Sequence, residues 1–226
     1  MNILAFDCST SNLQIALLNN HNLIEQINIE NQQSHSELLV SKIQEILNHH
    51  QLTYHSLNLI AVGNGPSSFT ATRVALSVAK MIKIACQIPV ITVNSCELLA
   101  FIYKYQNLLT IPINNQVKLT SLVNFNNKQV FCGEYLLTKN SISTHRAEQI
   151  IDLKDLKSDK NQIILADDQN LKNYFFDQII IIKKQVFQLG LFALEKYQQK
   201  NYSSIIEPIY LLQPSITVRK NNTILT

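Results

Sequence analysis

A chain of 226 residues, 46% apolar and 15% charged, is long enough for one large domain or two small lobes and too apolar for a solvated, disordered tail. A net charge of +3 with only three arginines (Arg73, Arg146, Arg219) is thin for a protein that reads nucleic acid alone, and the four scattered cysteines (Cys8, Cys86, Cys96, Cys132) support neither a disulfide scaffold nor structural zinc. No apolar run approaches the ~18 residues that cross a bilayer, and the start lacks the basic region of a secretory signal, so a cytoplasmic protein with no membrane partner is expected.

The opening segment Asn2 to Asp7 is an apolar run ending in an acid. Asn12 to Leu18 and Asn22 to Ile29 follow after short polar breaks, which predicts a three-stranded meander. From Ser36 the apolar spacing turns helical: Leu39, Ile43, Ile46 and Leu47 share one face, Ser34 or Ser36 is a candidate N-cap, and the helix runs to about Asn48. Leu59 to Val62 reads as a buried strand that meets the densest turn signal of the chain, Gly63-Asn64-Gly65-Pro66-Ser67-Ser68. A second helix is predicted from Phe69 to about Gln87, where Pro89 stops it, then a strand Val90 to Val93 and a helix Cys96 to Gln106.

Beyond Leu108 the rhythm repeats, with strands near Lys118 to Phe125, Val130 to Leu137 and Ile163 to Ala166, a short helix near Leu171, a strand Ile179 to Ile182 and a helix Gln185 to Gln199. A meander followed by alternating helices and strands predicts mixed sheets in an α/β layer. The shared order of elements predicts two related lobes, residues 1–107 and 108–215, with a polar tail over 216–226. Glycine is scarce (Gly63, Gly65, Gly133, Gly190), so at most one phosphate-cradling loop can be built, and asparagine is expected at some left-handed positions.

The segment Gly63-Asn64-Gly65-Pro66-Ser67-Ser68-Phe69-Thr70-Ala71-Thr72-Arg73 resembles the G-x-G-P-G-S-F-T-G-x-R signature of the TsaB family, also called YeaZ. Asp7-Cys8-Ser9-Thr10 resembles that family's D-T-S-T opening, and Glu207-Pro208-Ile209-Tyr210-Leu211 its late E-P-x-Y-L motif. Three motifs in order extend the resemblance over almost the whole chain. It implies an actin-like or sugar-kinase-like (ribonuclease H-like) α/β fold, two lobes with mixed sheets flanked by helices, and a decayed nucleotide cleft. It further implies a non-catalytic scaffold that binds and stabilises a paralogous catalytic subunit, TsaD, and works with the ATPase TsaE to install threonylcarbamoyl on tRNA adenosine. The resemblance allows self-pairing into a homodimer and leaves room for ATP or ADP at the partner interface; tRNA is expected to be met through the complex. An active small-molecule kinase of the same fold is the alternative.

The residues themselves bear on that choice. Asp7, Ser9 and Thr10 supply the acid and hydroxyls of a phosphate loop but no glycine, and a plain strand-end turn is the more frequent meaning of such a motif. Family members carry an aspartate and G-x-G in the second lobe, where this chain has Asn124 and Ala166-Asp167-Asp168; paired carboxylates repel phosphate. In the signature loop, Gly63, Gly65, Pro66, Ser68, Phe69, Thr70 and Arg73 either present helix N–H groups to an anion or form a tight strand-to-helix turn capped by Ser67 or Ser68. Ser67 and Ala71 stand where the family has glycine.

The second helix carries Val74, Ala75, Val78, Ala79, Met81, Ile82 and Ala85 on an arc of about 160° at 100° per residue, with Leu76 and Ile84 outside it and Lys80 and Lys83 on the wet side. Either both helices cover their own sheet, or the excess forms a partner surface. By the resemblance, Leu39, Ile43, Ile46, Val74, Val78, Met81 and Ile82 are the expected contact with TsaD. The histidines His35, His49, His50 and His55 show no zinc-helix spacing and read as solvent-facing, so no metal site is expected.

Overall fold

The computed structural model describes residues 1–8, 12–30, 35–66, 69–108, 111, 116–156, 162–175, 179–209 and 211. The first half follows its apolar pattern closely: strands β1 (Asn2–Asp7), β2 (Asn12–Asn19) and β3 (Asn22–Glu30), helix α1 (His35–His49), strand β4 (Leu59–Gly63), helix α2 (Phe69–Cys86), strand β5 (Val90–Val93) and helix α3 (Ser95–Gln106). The second half repeats the order with β6 (Val117–Asn124), β7 (Gln129–Leu137), β8 (Ile142–Asp152), β9 (Ile163–Ala166), the short α4 (Lys172–Phe175), β10 (Ile179–Ile181) and α5 (Val186–Gln198).

The strands form two five-stranded sheets with the orders β3-β2-β1-β4-β5 and β10-β9-β6-β7-β8. Read from the central strand outward these are one topology, an antiparallel meander on one side and parallel crossover strands on the other. These are the two related lobes with mixed sheets expected from the element order, in the actin-like, sugar-kinase-like architecture that the family resemblance implied. Both central strands, β1 and β6, are buried along their middles because helices or the opposite lobe cover each face.

The strands divide near residue 107, but the helices do not. Helix α3 packs on β6 and β7 of the second sheet, and α5 returns to β1, β2, β4 and β5 of the first. The two helices lie between the sheets within one shared core that draws Ile3 and Ala61 from one sheet and Leu119 and Leu165 from the other. Gly190 permits this: a Cβ there would sit 2.7 Å from Leu18 Cδ1. Phe101 and Phe192 stack with ring centroids 4.5 Å apart, flanked by the ion pairs Lys104–Glu195 at 2.7 Å and Lys196–Glu97 at 2.6 Å. A second core seals α1 and α2 onto the outer face of the first sheet, and a third lies on the outer face of the second.

The sequence pattern missed β8. Its alternation is weak because it is an edge strand with mostly exposed, polar positions such as His145 and Arg146, which also discourage edge-to-edge pairing. Helix α3 begins one residue earlier than expected, where the Asn94 side chain accepts hydrogen bonds from the N–H groups of Cys96 and Glu97. Ser34, proposed as a cap, and the tail lie outside the described residues.

Among the described residues, asparagine fills one left-handed position, Asn20, whereas Gln51, Gln87 and Lys200 hold the other non-glycine ones, with φ between 55° and 57°. These three sit at helix C-termini, where glycine is the usual residue. The Gln87 N–H closes α2 onto the Lys83 carbonyl at 2.8 Å. Replacing exposed Gln87 by glycine relieves its left-handed strain, and chemical denaturation should show a gain of about 1 kcal/mol.

Candidate functional site

The three motifs, far apart in sequence, meet at the carboxyl ends of β1 and β4. Phe6 pairs with Val62 in parallel register, which sets Asp7 beside Gly63. A Cβ at Gly63 would lie 2.5 Å from Asp7 Oδ1, so only glycine lets the carboxylate lie against the backbone there. Gly65 takes a positive φ of 91°, and the Gly65–Pro66 peptide is cis. The Gly65 carbonyl accepts from Ser95 N–H at 2.8 Å, tying the loop to the start of α3. The late motif closes over it: Ile209 N–H donates to the Asn64 carbonyl at 3.0 Å, and the Asn64 side chain donates to the Glu207 carbonyl at 3.4 Å.

Ile206 belongs to the outer core of the first sheet, and Leu211 packs against the core between the sheets. The late motif thus straps the signature loop to the joint of the two lobes. Ser9, Thr10, Ser67, Ser68 and Tyr210 lie outside the described residues. Phe69 is the first residue of α2, and Thr70 and Arg73 face solvent on its first turns.

Asp7 is buried, and its charge joins burial in pushing the Cys8 thiol up to about 12. The counter-charge comes from the other lobe. Lys184, just past β10, pairs with Asp167 at 2.8 Å and is 11% exposed. Burial opposes its charge, yet the Asp167 carboxylate, its hydrogen bond and then Asp7 outweigh that and hold the ammonium above its ordinary pKa. Asn124 at the end of β6 completes the cluster, its N–H donating to Asp167 Oδ1 at 3.1 Å and its side-chain amide to Asp168 Oδ2 at 2.6 Å. The two carboxylates expected to repel phosphate are therefore bound to a lysine and an asparagine of their own lobe. The sequence held no signal for Lys184, which sits after β10 with no motif around it.

The helical face needs a correction. Leu39, Ile43 and Ile46 are fully buried in the core between α1, α2 and the first sheet, so they are not available as a contact surface in the folded chain. Helix α1 uses its whole apolar stripe on its own sheet. Val78 and Ile82 are nearly buried in the same core, Val74 is half-buried, and Ala75 and Ala79 are sealed. Among the described residues of α1 and α2, the exposed large apolar side chains are Met81 (58%), Val40 (46%) and Ile84 (79%). Val40 and Ile84 lie outside the periodic stripes, because a stripe marks what the chain buries for itself. Between the helices runs an open groove of about 510 Å³ lined by Val40, Thr70, Arg73, Val74, Ser77, Val78 and Met81.

Among the described residues, no helix is long and apolar enough to cross a membrane. A family model described as TsaD, tRNA N6-adenosine threonylcarbamoyltransferase, matches residues 23–203. The chain is similar to the tRNA threonylcarbamoyladenosine biosynthesis protein TsaB of Buchnera aphidicola subsp. Acyrthosiphon pisum, at 26% identity over 91% of this chain and 94% of that one. It is likewise similar to the TsaB of Haemophilus influenzae, at 25% identity over 93% of each. The solved structure of YeaZ from Pseudomonas aeruginosa superposes with a TM-score of 0.70 at 17% identity, covering 92% of this chain and all of that one, and so shares its fold. A matched family model over most of the chain, together with TsaB relatives matched over more than nine-tenths of their length, places this protein in the family that model describes, on its TsaB (YeaZ) branch.

Proposed function

We propose that this protein is a non-catalytic scaffold in the synthesis of threonylcarbamoyladenosine on tRNA, and that it binds and stabilises the TsaD-type transferase through the α1–α2 face. The observation that carries this reading is the exposed apolar pair Val40 and Met81 lining an open groove, with exposed Ile84 three residues further along α2. Large apolar groups clustered on one surface mark a contact site. The groove's rim adds Arg73, Thr70 and Ser77 as polar positions around that apolar centre, the arrangement typical of a protein interface.

The cleft supports the non-catalytic half. A divalent cation recruited by Asp7 would compete with the ammonium of Lys184, and a phosphate approaching from the second lobe would meet Asp167 and Asp168. The residues present do not fit a magnesium nucleotide between the lobes. ATP or ADP, where it takes part, belongs to the partner interface, and the TsaE-type ATPase and tRNA join through the assembled complex. Self-pairing through the same groove is the expected state when the transferase is missing.

Substitution of Met81 and Ile84 by aspartate tests this directly. Both side chains project into solvent, so the folded chain should keep its circular dichroism and melting temperature. Capture of the TsaD-type subunit in a pull-down should weaken by more than about 30-fold, as for loss of an interface anchor, and reconstituted tRNA modification should fall with it. Full capture by the double variant would overturn the assignment. Val78→Asp and Ile82→Asp are poorer probes, since both side chains sit in the core.

A further inference from the structure

Outside the motif cluster, one group of side chains has the composition and placement of a metal site. Glu25 lies on β3, an edge strand, opposite Leu17 of β2. His49 is the last residue of α1 and His50 the next. The helix returns across the sheet so that both imidazoles converge on one carboxylate oxygen: His49 Nδ1 lies 2.9 Å from Glu25 Oε2, and His50 Nε2 lies 2.7 Å from the same atom. The ligand atoms of the three residues lie within 4.8 Å of one another.

We propose that Glu25, His49 and His50 bind a divalent transition-metal ion of the zinc type, with the fourth position open to water. Two imidazole nitrogens and a carboxylate oxygen are a ligand set that zinc takes in tetrahedral sites, at about 2.0–2.2 Å per bond. Magnesium and calcium, which prefer all-oxygen shells, are poorly matched. One carboxylate oxygen here meets two ring nitrogens at hydrogen-bond distance. A metal replaces the two shared protons and needs the three atoms to separate by about half an ångström, which side-chain rotation supplies.

His49 is mostly exposed and can turn onto the ion, while Glu25 and His50 are about 30% exposed and better held. Burial pushes the Glu25 carboxyl up, but hydrogen bonds from His50 and then His49 bring it below its ordinary range, so it is a ready anionic ligand. Bound metal would staple the C-terminus of α1 to the edge of the first sheet. Histidine spacing along α1 does not reveal this set, because its third member comes from a strand 24 residues away.

The test uses the full chain and zinc itself, titrated against a chromogenic chelator, with cobalt as a spectroscopic probe. One equivalent of zinc should bind, cobalt should give the visible absorption of a tetrahedral centre, and the melting temperature should rise by roughly 5 °C at a hundredfold excess over Kd. Glu25→Gln and His50→Ala should each weaken binding by more than about tenfold, whereas His21→Ala and His145→Ala should not. Absence of saturable uptake by the wild-type chain would overturn the proposal. So would uptake that survives both Glu25→Gln and His50→Ala, or that disappears when the cysteines are alkylated.

Discussion

Lys184→Met should lower the unfolding free energy by about 3 kcal/mol, the low end of the cost of stripping one partner from a buried ion pair. In a thermal melt this is a fall of roughly 6 to 12 °C for a chain of this size. The reason is local charge. Lys184 and Asp167 are only 11% and 16% exposed and 2.8 Å apart, and Asp7 of the other lobe also acts on the same ammonium. Methionine keeps most of the aliphatic stem, so the loss isolates the charge from the packing. Asp167→Asn added to Lys184→Met should recover a large part of the deficit, because neither member of the pair then carries a charge; a thermodynamic cycle over the two singles and the double measures the coupling. If Lys184→Met costs less than about 1 kcal/mol, the ammonium is not the counter-charge of the cleft.

Phe192→Ala should cost about 3 to 5 kcal/mol, the usual loss for emptying a buried aromatic site. Phe192 is 3% exposed and stacks on Phe101 at 4.5 Å in the layer between the sheets, and the Lys196 ammonium lies 4.8 Å from its ring centroid. The void cannot collapse easily, since α5 is held at close range to the first sheet by Gly190 and to α3 by two ion pairs. Urea unfolding should show the lower midpoint. Phe192→Leu, which refills most of the volume, should lose less than half as much. Equal losses for alanine and leucine would mean that the stack, and not the filled volume, supports the joint.

The two substitutions probe different seams of one architecture. Lys184 ties down Asp167 at the ends of the second-lobe strands, where Asp7 of the other lobe also acts on it, and Phe192 links helices that have crossed between lobes. Neither seam shows in periodicity, because each joins residues from distant segments.

Local chemistry was enough for the strands and helices of the first half. Alternation, continuous apolar runs and the glycine-proline turn are backbone and side-chain properties that act over a few residues, and they located β1 and β5 to the residue. The same signals failed at β8, where an edge strand buries too little to show its period. The repeated order of elements also sufficed to infer two related lobes, since a fixed strand order follows from short connections and crossover rules.

Three things were decided only by tertiary packing. Helices α3 and α5 exchange lobes, because each sheet face is covered by whichever apolar stripe reaches it, regardless of chain order. The stripe of Leu39, Ile43 and Ile46, legible as apolar, was spent on the chain's own core, and the large apolar side chains left exposed on these helices are Val40, Met81 and Ile84. The motifs at Asp7, Gly63 and Glu207 were each visible alone, but that they meet, and that Lys184 answers the acids between the lobes, depends on distances between segments as much as 200 residues apart. A linear pattern records which residues avoid water; which neighbour keeps water from them is settled by folding in three dimensions.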